Sequence, residues 1–284
     1  MSQNAKVILV TGASSGIGFD TAQRLAAMGH KVYAAARRVE LMEPLRNDGV
    51  EVLSLDVTNE QSMSAAIDTI LTREGRIDVL FNNAGYGYFG AVEQVAMAEA
   101  RRQLEVNVFG LARLCQLVIP IMRRQGSGRI VNTSSIAGRS VFLFGGWYNV
   151  SKYSVEALSD AMRIELKPYG IDVVMVEPGP IRTDWGIIAA RHLRESSADT
   201  PYAELGSRWA NTMDWGYTGN LFSGPDRVAA AACRAITARR PRARYVVGRY
   251  ARLTLALHAL LPTRWWDAAM RRAGTLRLGG KNKV

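Results

Sequence analysis

The 284-residue chain is poor in the residues from which several common kinds of site are built. It has two cysteines, Cys115 and Cys233, each inside an apolar helical pattern. A disulfide framework is therefore not expected, and both read as small buried hydrophobes in a reducing compartment. The three histidines, His30, His192 and His258, are scattered and read as structural or exposed. No metal-spaced Cys/His cluster and no Ser/His/Asp set can be assembled, so no metal is expected. No apolar run approaches the ~18 residues that would span a bilayer, and Met1-Ser2-Gln3-Asn4-Ala5-Lys6 runs into a strand pattern without signal-peptide architecture. The expectation is a cytoplasmic protein, at most attached peripherally to a membrane surface. There is no internal repeat or low-complexity linker, and 48% hydrophobic residues suffice for one large core, so residues 1–284 read as a single domain.

Acidic residues are missing from one end. From Arg234 to Val284 there are thirteen Lys and Arg against a single acid, Asp267, so this tail carries the whole net charge of +11. Such a tail suits an anionic membrane, an acidic partner or nucleic acid; the plainer reading is a solvated, arginine-rich face.

What is present is an alternation. Lys6-Val7-Ile8-Leu9-Val10 reads as a strand, Thr11-Gly12-Ala13-Ser14-Ser15-Gly16-Ile17-Gly18 as a glycine turn, and the residues after it as a helix. Glycines let a backbone turn tightly against a pyrophosphate, whose charge then sits on the helix N-terminus. A second strand, residues 31–36, ends at Arg37-Arg38. An acid near this point would bond adenosine ribose hydroxyls, whereas arginines match a 2′-phosphate. Ala36 is not an acid, so the pattern argues for NADP over NAD. Residues 50–55 form a third strand ending at Asp56, with a helix over 61–71; residues 78–81 form a fourth, running into Asn82-Asn83-Ala84-Gly85. The pattern predicts a parallel sheet with right-handed crossovers. A long helical pattern from Ala96 to Met122 carries Asn107 among apolar neighbours. Arg129 to Ser134 reads as a buried strand with Ser135 at its end, and a helix is expected from Tyr148 to about Lys167. A sixth strand over 171–176 stops at Glu177-Pro178-Gly179-Pro180, where two prolines are expected to take the chain out of the sheet. Residues 227–236 read as a helix and 244–247 as a last strand.

Two positions four apart on a helix share a face, so the Tyr148 phenol and the Lys152 ammonium would be neighbours. A nearby cation favours the phenolate and makes the phenol a usable general acid/base, and the Ser135 hydroxyl could hold an oxygen on which charge develops. Aromatics at Tyr86, Tyr88, Phe89, Phe142, Phe144, Trp147 and Trp185 offer an apolar pocket, and residues 185–222 suggest a helical cap. Trp265 and Trp266 beside Arg271 and Arg272 suit a helix in a membrane interface, and equally a C-terminal helix packed on the domain or a dimer contact. Residues 278–283 read as disordered.

Taken in order, Thr11 to Gly18, Asn82 to Gly85, Asn107, Ser135, Tyr148-x-x-x-Lys152 and Pro178-Gly179 with Thr183 resemble the short-chain dehydrogenase/reductase family, in the branch carrying a TGxxxGxG turn. The likeness covers roughly residues 5–185. It implies an α/β fold of Rossmann type, a doubly wound parallel seven-stranded sheet with helices on both faces. Residues 5–185 would be the dinucleotide-binding and catalytic core, 185–225 a substrate cap, and 226–284 the last helix, last strand and basic tail. It implies Tyr148 as proton donor or acceptor, Ser135 polarising the substrate oxygen, Lys152 on the nicotinamide ribose and Asn107 in a water-linked proton relay. Gly12, Ser14, Ser15, Gly16, Ile17 and Gly18 would line the pyrophosphate, with Arg37 and Arg38 on a 2′-phosphate. Asp56 and Val57 would flank adenine, with Asn83, Ala84 and Gly85 along the ribose and backbone. Pro178 and Gly179 would also bind the cofactor, and Ile181 with Thr183 would hold the carboxamide. The tail and the segment around Val141 look like those of hydroxysteroid and retinol dehydrogenases. The implied activity is NADP(H)-dependent interconversion of a carbonyl and an alcohol on a steroid-, retinoid- or lipid-like substrate by a homodimer or homotetramer. Two alternatives are a cofactor-sensing regulator and a membrane- or nucleic-acid-surface binder on the same fold; Ser135, Tyr148 and Lys152 together argue against the first, and nucleic acid is not the expected partner.

Overall fold

The computed structural model describes residues 5–273. The tail segment read above as disordered lies outside them. In chain order the strands are β1 (Val7–Thr11), β2 (Lys31–Ala36), β3 (Glu51–Ser54), β4 (Val79–Asn82), β5 (Gly128–Thr133), β6 (Ile171–Pro178) and β7 (Arg244–Val247). They form one parallel sheet in the order β3-β2-β1-β4-β5-β6-β7. The order reverses between β1 and β4, and a crevice opens at the carboxyl ends of the strands on either side of such a switch.

The helices are α1 (Gly16–Ala27), α2 (Glu60–Glu74), α3 (Met97–Leu104), α4 (Leu111–Gln125), α5 (Gly146–Glu165), α6 (Asp184–Ser197), α7 (Ala203–Thr218), α8 (Pro225–Thr237), α9 (Ala251–Leu260) and α10 (Thr263–Ala273). One apolar cluster joins the sheet to α2, α4 and α5 through Leu114, Val118, Ile130 and Val155; another joins it to α1 and α8 through Leu25, Val131 and Ala232. Strands buried on both faces need no polar alternation, which is why β1 and β4 read as unbroken apolar runs. Helices α6 and α7 pack on each other around Ala189, Leu193 and Ala210, beside Phe89 and Phe144 of the loops. The stretch Met97–Gln125 is long and apolar enough to pass for a membrane span, but Leu111, Leu114, Cys115 and Val118 pack it into the core.

The helix around Asn107 runs unbroken over Met97–Gln125, in keeping with its pattern, with one π-turn at Glu105–Gly110 between α3 and α4, where Asn107 is buried. One expectation is corrected. The sixth strand does not end before the prolines. Pro178 stays in register with Val247, because β7 pairs there and the next donor is the Gly179 N–H, to the Val247 carbonyl at 2.8 Å.

Arg129, the second residue of β5, is only 7% exposed. Its guanidinium donates to the carbonyls of Ala235, Ile236 and Ala238 at 3.0, 2.7 and 2.8 Å, capping the C-terminus of α8, and reaches Asp172 at 3.1 Å. Removing a donor from buried acceptors leaves each with ~1–3 kcal/mol of unrecovered desolvation. Arg129→Met should therefore lower unfolding stability by about 3 kcal/mol in urea titration, most of it from the α8 terminus. A loss under about 0.5 kcal/mol would mark the arginine as an ordinary surface side chain.

Candidate active site

The crevice begins with a latch between β1 and β4. The Thr11 hydroxyl accepts the N–H groups of Asn83 and Ala84 at 3.0 and 3.1 Å, while the Asn83 amide donates to the carbonyls of Thr11 and Gly12 at 3.2 Å each. Gly12 has φ +65°, and a Cβ there would stand 2.7 Å from the Ala84 Cα; one on Gly18 would stand 2.4 Å from the Gly12 carbonyl oxygen. The turn thus closes onto the start of α1 with backbone N–H groups facing the crevice, a cradle for an anion that any side chain would fill. This fits a dinucleotide pyrophosphate.

The cavity measures about 1430 Å³. Single small-ligand pockets run ~300–1,000 Å³, so there is room for a cofactor and a substrate together. Gly12, Ser14, Ser15, Gly16 and Ile17 line one end, with Arg37, Arg38, Asp56 and Val57 beyond them. Gly18 lies behind the turn. Arg38 donates to the Ser14 hydroxyl at 3.2 Å, joining the end of β2 to the glycine turn. Hydrogen bonds from Thr58 hold the Asp56 carboxyl below its usual range against the opposing effect of burial. Asn83, Ala84, Gly85, Pro178, Gly179, Ile181 and Thr183 line the middle.

Tyr148, Ser135 and Lys152 meet at the centre. Ser135 caps a short 3-10 turn, its hydroxyl accepting the Ala137 N–H at 3.1 Å and donating to the Pro178 carbonyl at 3.2 Å. Burial pushes the Tyr148 phenol up to about 12, with the nearby Ser135 hydroxyl pulling the other way. Lys152 donates to the Thr133 carbonyl at 2.8 Å and lies 5.9 Å from the Tyr148 ring centre. Burial brings its ammonium down to about 8, opposed by the charge of Glu156. At neutral pH the pair is a neutral phenol beside a cation, so the proton is on Tyr148, ready to be given.

Asn107 is buried behind this centre, not on the cavity wall. Its amide accepts the Tyr86 N–H at 3.0 Å and donates to the Tyr86 carbonyl at 2.8 Å and the Ser151 hydroxyl at 3.1 Å. It clamps the loop after β4 to α5. Beneath Lys152 lies a charged group that sequence reasoning missed. Arg244 of β7 donates to Glu156 at 3.0 Å and Asp160 at 2.6 Å and stands 2.9 Å from Glu177. Glu177 has no exposed surface, also pairs with Arg139 at 3.2 Å, and is held above the usual carboxyl range by burial and by Glu156. The signal was available: Glu156 lies one turn past Lys152 on the same face.

Aromatic rings surround Tyr148, with Trp185 at 5.1 Å and Phe89 at 5.7 Å between ring centres. Tyr86, Phe142 and Trp185 line the cavity. Phe144 and Trp147 do not: Phe144 packs edge-on against Tyr202 at 6.1 Å, and Trp147 lies about 100° around α5 from Tyr148. His192, read as structural or exposed, lines the cavity and stacks on Tyr88 at 4.7 Å. Its face could have been found, since Trp185, Ile188 and His192 follow at helical spacing on α6. Trp266 of α10 closes the far side, donating to the Val141 carbonyl at 3.0 Å and meeting Phe142 edge-on at 6.4 Å. Among the described residues no group of three His, Cys, Asp or Glu side chains could hold a metal.

A family model described as short chain dehydrogenase matches residues 6–191. A probable short-chain type dehydrogenase/reductase of Helicobacter pylori is 36% identical, over 93% of this chain and 96% of the relative. A 3-ketodihydrosphingosine reductase of Bacteroides thetaiotaomicron is 37% identical, over 86% of this chain and 88% of the relative. The crystal structure of a short-chain dehydrogenase from Streptomyces avermitilis superposes with a TM-score of 0.78 at 33% identity, covering 95% of this chain and 96% of that one. Among similar structures, a metagenomic short-chain oxidoreductase holds NADP (TM-score 0.67, 26% identity, 85% and 96% covered). One from Burkholderia phymatum holds NAD (TM-score 0.76, 28% identity, 90% and 94% covered). The chain therefore belongs to the short-chain dehydrogenase family and is an oxidoreductase of alcohol and carbonyl groups that uses a nicotinamide cofactor.

Proposed function

We propose that this enzyme is an NADPH-dependent reductase of a lipophilic ketone or aldehyde, with Tyr148 as its general acid. The observation that carries the reading is the neutral phenol of Tyr148, set beside Ser135 and backed by Lys152. The bound nicotinamide supplies the hydride. Tyr148 gives its proton to the substrate oxygen, and Ser135 holds that oxygen while charge develops on it. Lys152 is the cation that stabilises the phenolate left behind and would reach the nicotinamide ribose; Asn107 would join the route by which Tyr148 regains its proton. Arg37 and Arg38, with Ser14, would bind a 2′-phosphate, which supports NADPH over NADH; Gly85, Pro178, Gly179, Ile181 and Thr183 would hold the nicotinamide end. Trp185, Phe89, Phe142 and Tyr217, with α6 and α7 as a cap, favour a large apolar substrate, and the 3-ketodihydrosphingosine reductase relative acts in its printed name on a lipid ketone. Such substrates reside in membranes, and the C-terminal helices are the part of the chain that would meet one. A homo-oligomer belongs to the same reading, supported by Val150, Tyr153 and Ile164 exposed along α5.

Three outcomes are expected. Tyr148→Phe should lower kcat for carbonyl reduction by about 10²–10⁴-fold with cofactor binding intact, measured as loss of reduced-nicotinamide absorbance. Undiminished turnover would remove Tyr148 from the mechanism. Replacing Arg37 and Arg38 together by Ala should raise KM for NADPH about tenfold or more and leave that for NADH unchanged, since a charge-assisted bond contributes ~1.5–3 kcal/mol. Equal effects on both cofactors would count against phosphate recognition. Finally, the rate of reduction should fall as pH rises through about 8, where Lys152 loses its charge. Because the charge of Glu156 raises the Lys152 pKa, Glu156→Gln should move that fall to lower pH; a fixed profile would uncouple the two residues.

A further inference from the structure

At the β7 edge of the sheet, a groove of about 700 Å³ lies between α8, the end of β7 and the start of α9. Arg227 and Arg234, two turns apart on α8, form one wall, and Arg249 and Arg252 form the other; no acidic side chain lines it. None of the four guanidinium groups has a hydrogen-bond or ion-pair partner among the described residues. The contrast is with Arg129 and Arg244, whose charges are spent on buried carbonyls and carboxylates. Four unpaired cations facing one concavity repel one another, and an anion there would relieve them.

The groove continues into an apolar stripe. Leu253, at 55% exposed, lines the groove; Leu257 and Leu260 follow it at i+4 and i+7, at 43% and 81% exposed, with Trp265 at 68% just beyond. Helical spacing puts these leucines on one face of α9, and outward-facing apolar rows of this kind mark an interaction surface. Leu257 also lines the active-site cavity, together with Thr254 and Leu261 on its own side and Trp266 and Met270 of α10. Helix α9 therefore stands between an arginine groove and the mouth of the substrate cavity, with an apolar row joining the two. A free phosphate would use the arginines and leave the leucines in water. A bilayer surface bearing anionic headgroups would use both, the phosphates in the groove and the leucines and Trp265 at the acyl boundary.

We propose that the α8–α9 arginine groove and the exposed face of α9 and α10 dock the enzyme on an anionic phospholipid membrane, so that its substrate enters the cavity from the bilayer past Leu257. The docking is independent of the reductase reading; only the nature of what enters rests on it. The test is flotation of the full-length protein with vesicles of pure phosphatidylcholine and of phosphatidylcholine mixed equally with phosphatidylglycerol. Binding is expected to the mixed vesicles alone and to weaken with added salt. An arginine near such a surface contributes about 1 kcal/mol, or about fivefold in affinity, so R227Q/R234Q/R249Q/R252Q should weaken binding at least a hundredfold. Leu260→Asp should weaken it through the stripe, and neither variant should alter turnover of a water-soluble carbonyl compound, which also reports that both are folded. Equal binding to both vesicle types, no binding, or binding indifferent to the four-arginine variant would overturn the proposal. So would inorganic phosphate at millimolar concentration releasing the protein from vesicles, which would mark a free-anion site, or Leu260→Asp dissociating an oligomer without affecting vesicle binding, which would mark a contact between copies. Failure of these tests with reductase activity intact leaves the catalytic reading standing, and loss of reductase activity with vesicle binding intact does the converse.

Discussion

Everything at the crevice depends on how closely β1 and β4 approach each other beyond the edge of the sheet. Thr11 and Asn83 bind each other's backbone, and that pair of contacts brings the Gly12 turn within van der Waals distance of Ala84. The two strands diverge at the switch in their order, and without the latch the loops after them would separate. The latch aligns the first turn of α1 and also fixes the start of Asn83-Ala84-Gly85-Tyr86, onto which Asn107 then clamps α5. Tyr148 and Lys152 thus stand opposite the glycine turn because three elements are tied in sequence by neutral, buried hydrogen bonds whose partners leave few alternatives.

The protonation of the centre has a second origin, one turn further along α5. Burial alone favours the neutral form of both Tyr148 and Lys152, and a neutral lysine would be of no use to a departing proton. Glu156 counters this for the lysine, and its own burial is made tolerable by Arg244, which in turn holds Glu177 and Asp160. The edge strand β7 is short and pairs on one side only, yet it delivers the arginine that balances three carboxylates on and beneath α5. Its contribution is electrostatic as much as architectural.

The alternation of strands and helices was legible because parallel strands buried on both faces leave apolar runs, and the glycine turn because no side chain fits between Gly12, Gly18 and Ala84. The π-turn at Asn107 was not legible: its cause is tertiary, the demand that one amide meet both the Tyr86 backbone and Ser151. Pro178 misled because a proline removes only its own donor, and the bond to β7 at that position is made by the Gly179 N–H. The aromatic residues were the least readable. Phe142, Phe144 and Trp147 share a short stretch, but the backbone of Phe144 takes φ +60° and turns its ring to Tyr202, so neighbours in sequence part company. Which rings line a cavity depends on contacts with α6, α7 and α10, and these are distant in sequence.

The C-terminal hairpin shows how one helix face can be read from its opposite. On α10, Trp266 is 7% exposed and bonded to the loop that leads to Tyr148, while its neighbour Trp265 is 68% exposed. Helices whose only task is to cover a core put charge outward, as α2 does with Glu60, Asp68 and Arg73. Covering the cavity accounts for Trp266, Met270 and Leu261, but it gives no reason for Leu253, Leu260 and Trp265 to face away. An outward apolar row lowers solubility unless something masks it, and the four arginines of the neighbouring groove, without carboxylate partners among the described residues where Arg244 has three, favour an anionic surface as the mask. In the docking proposed here, the same two helices would close the cavity on one side and set the enzyme's environment on the other.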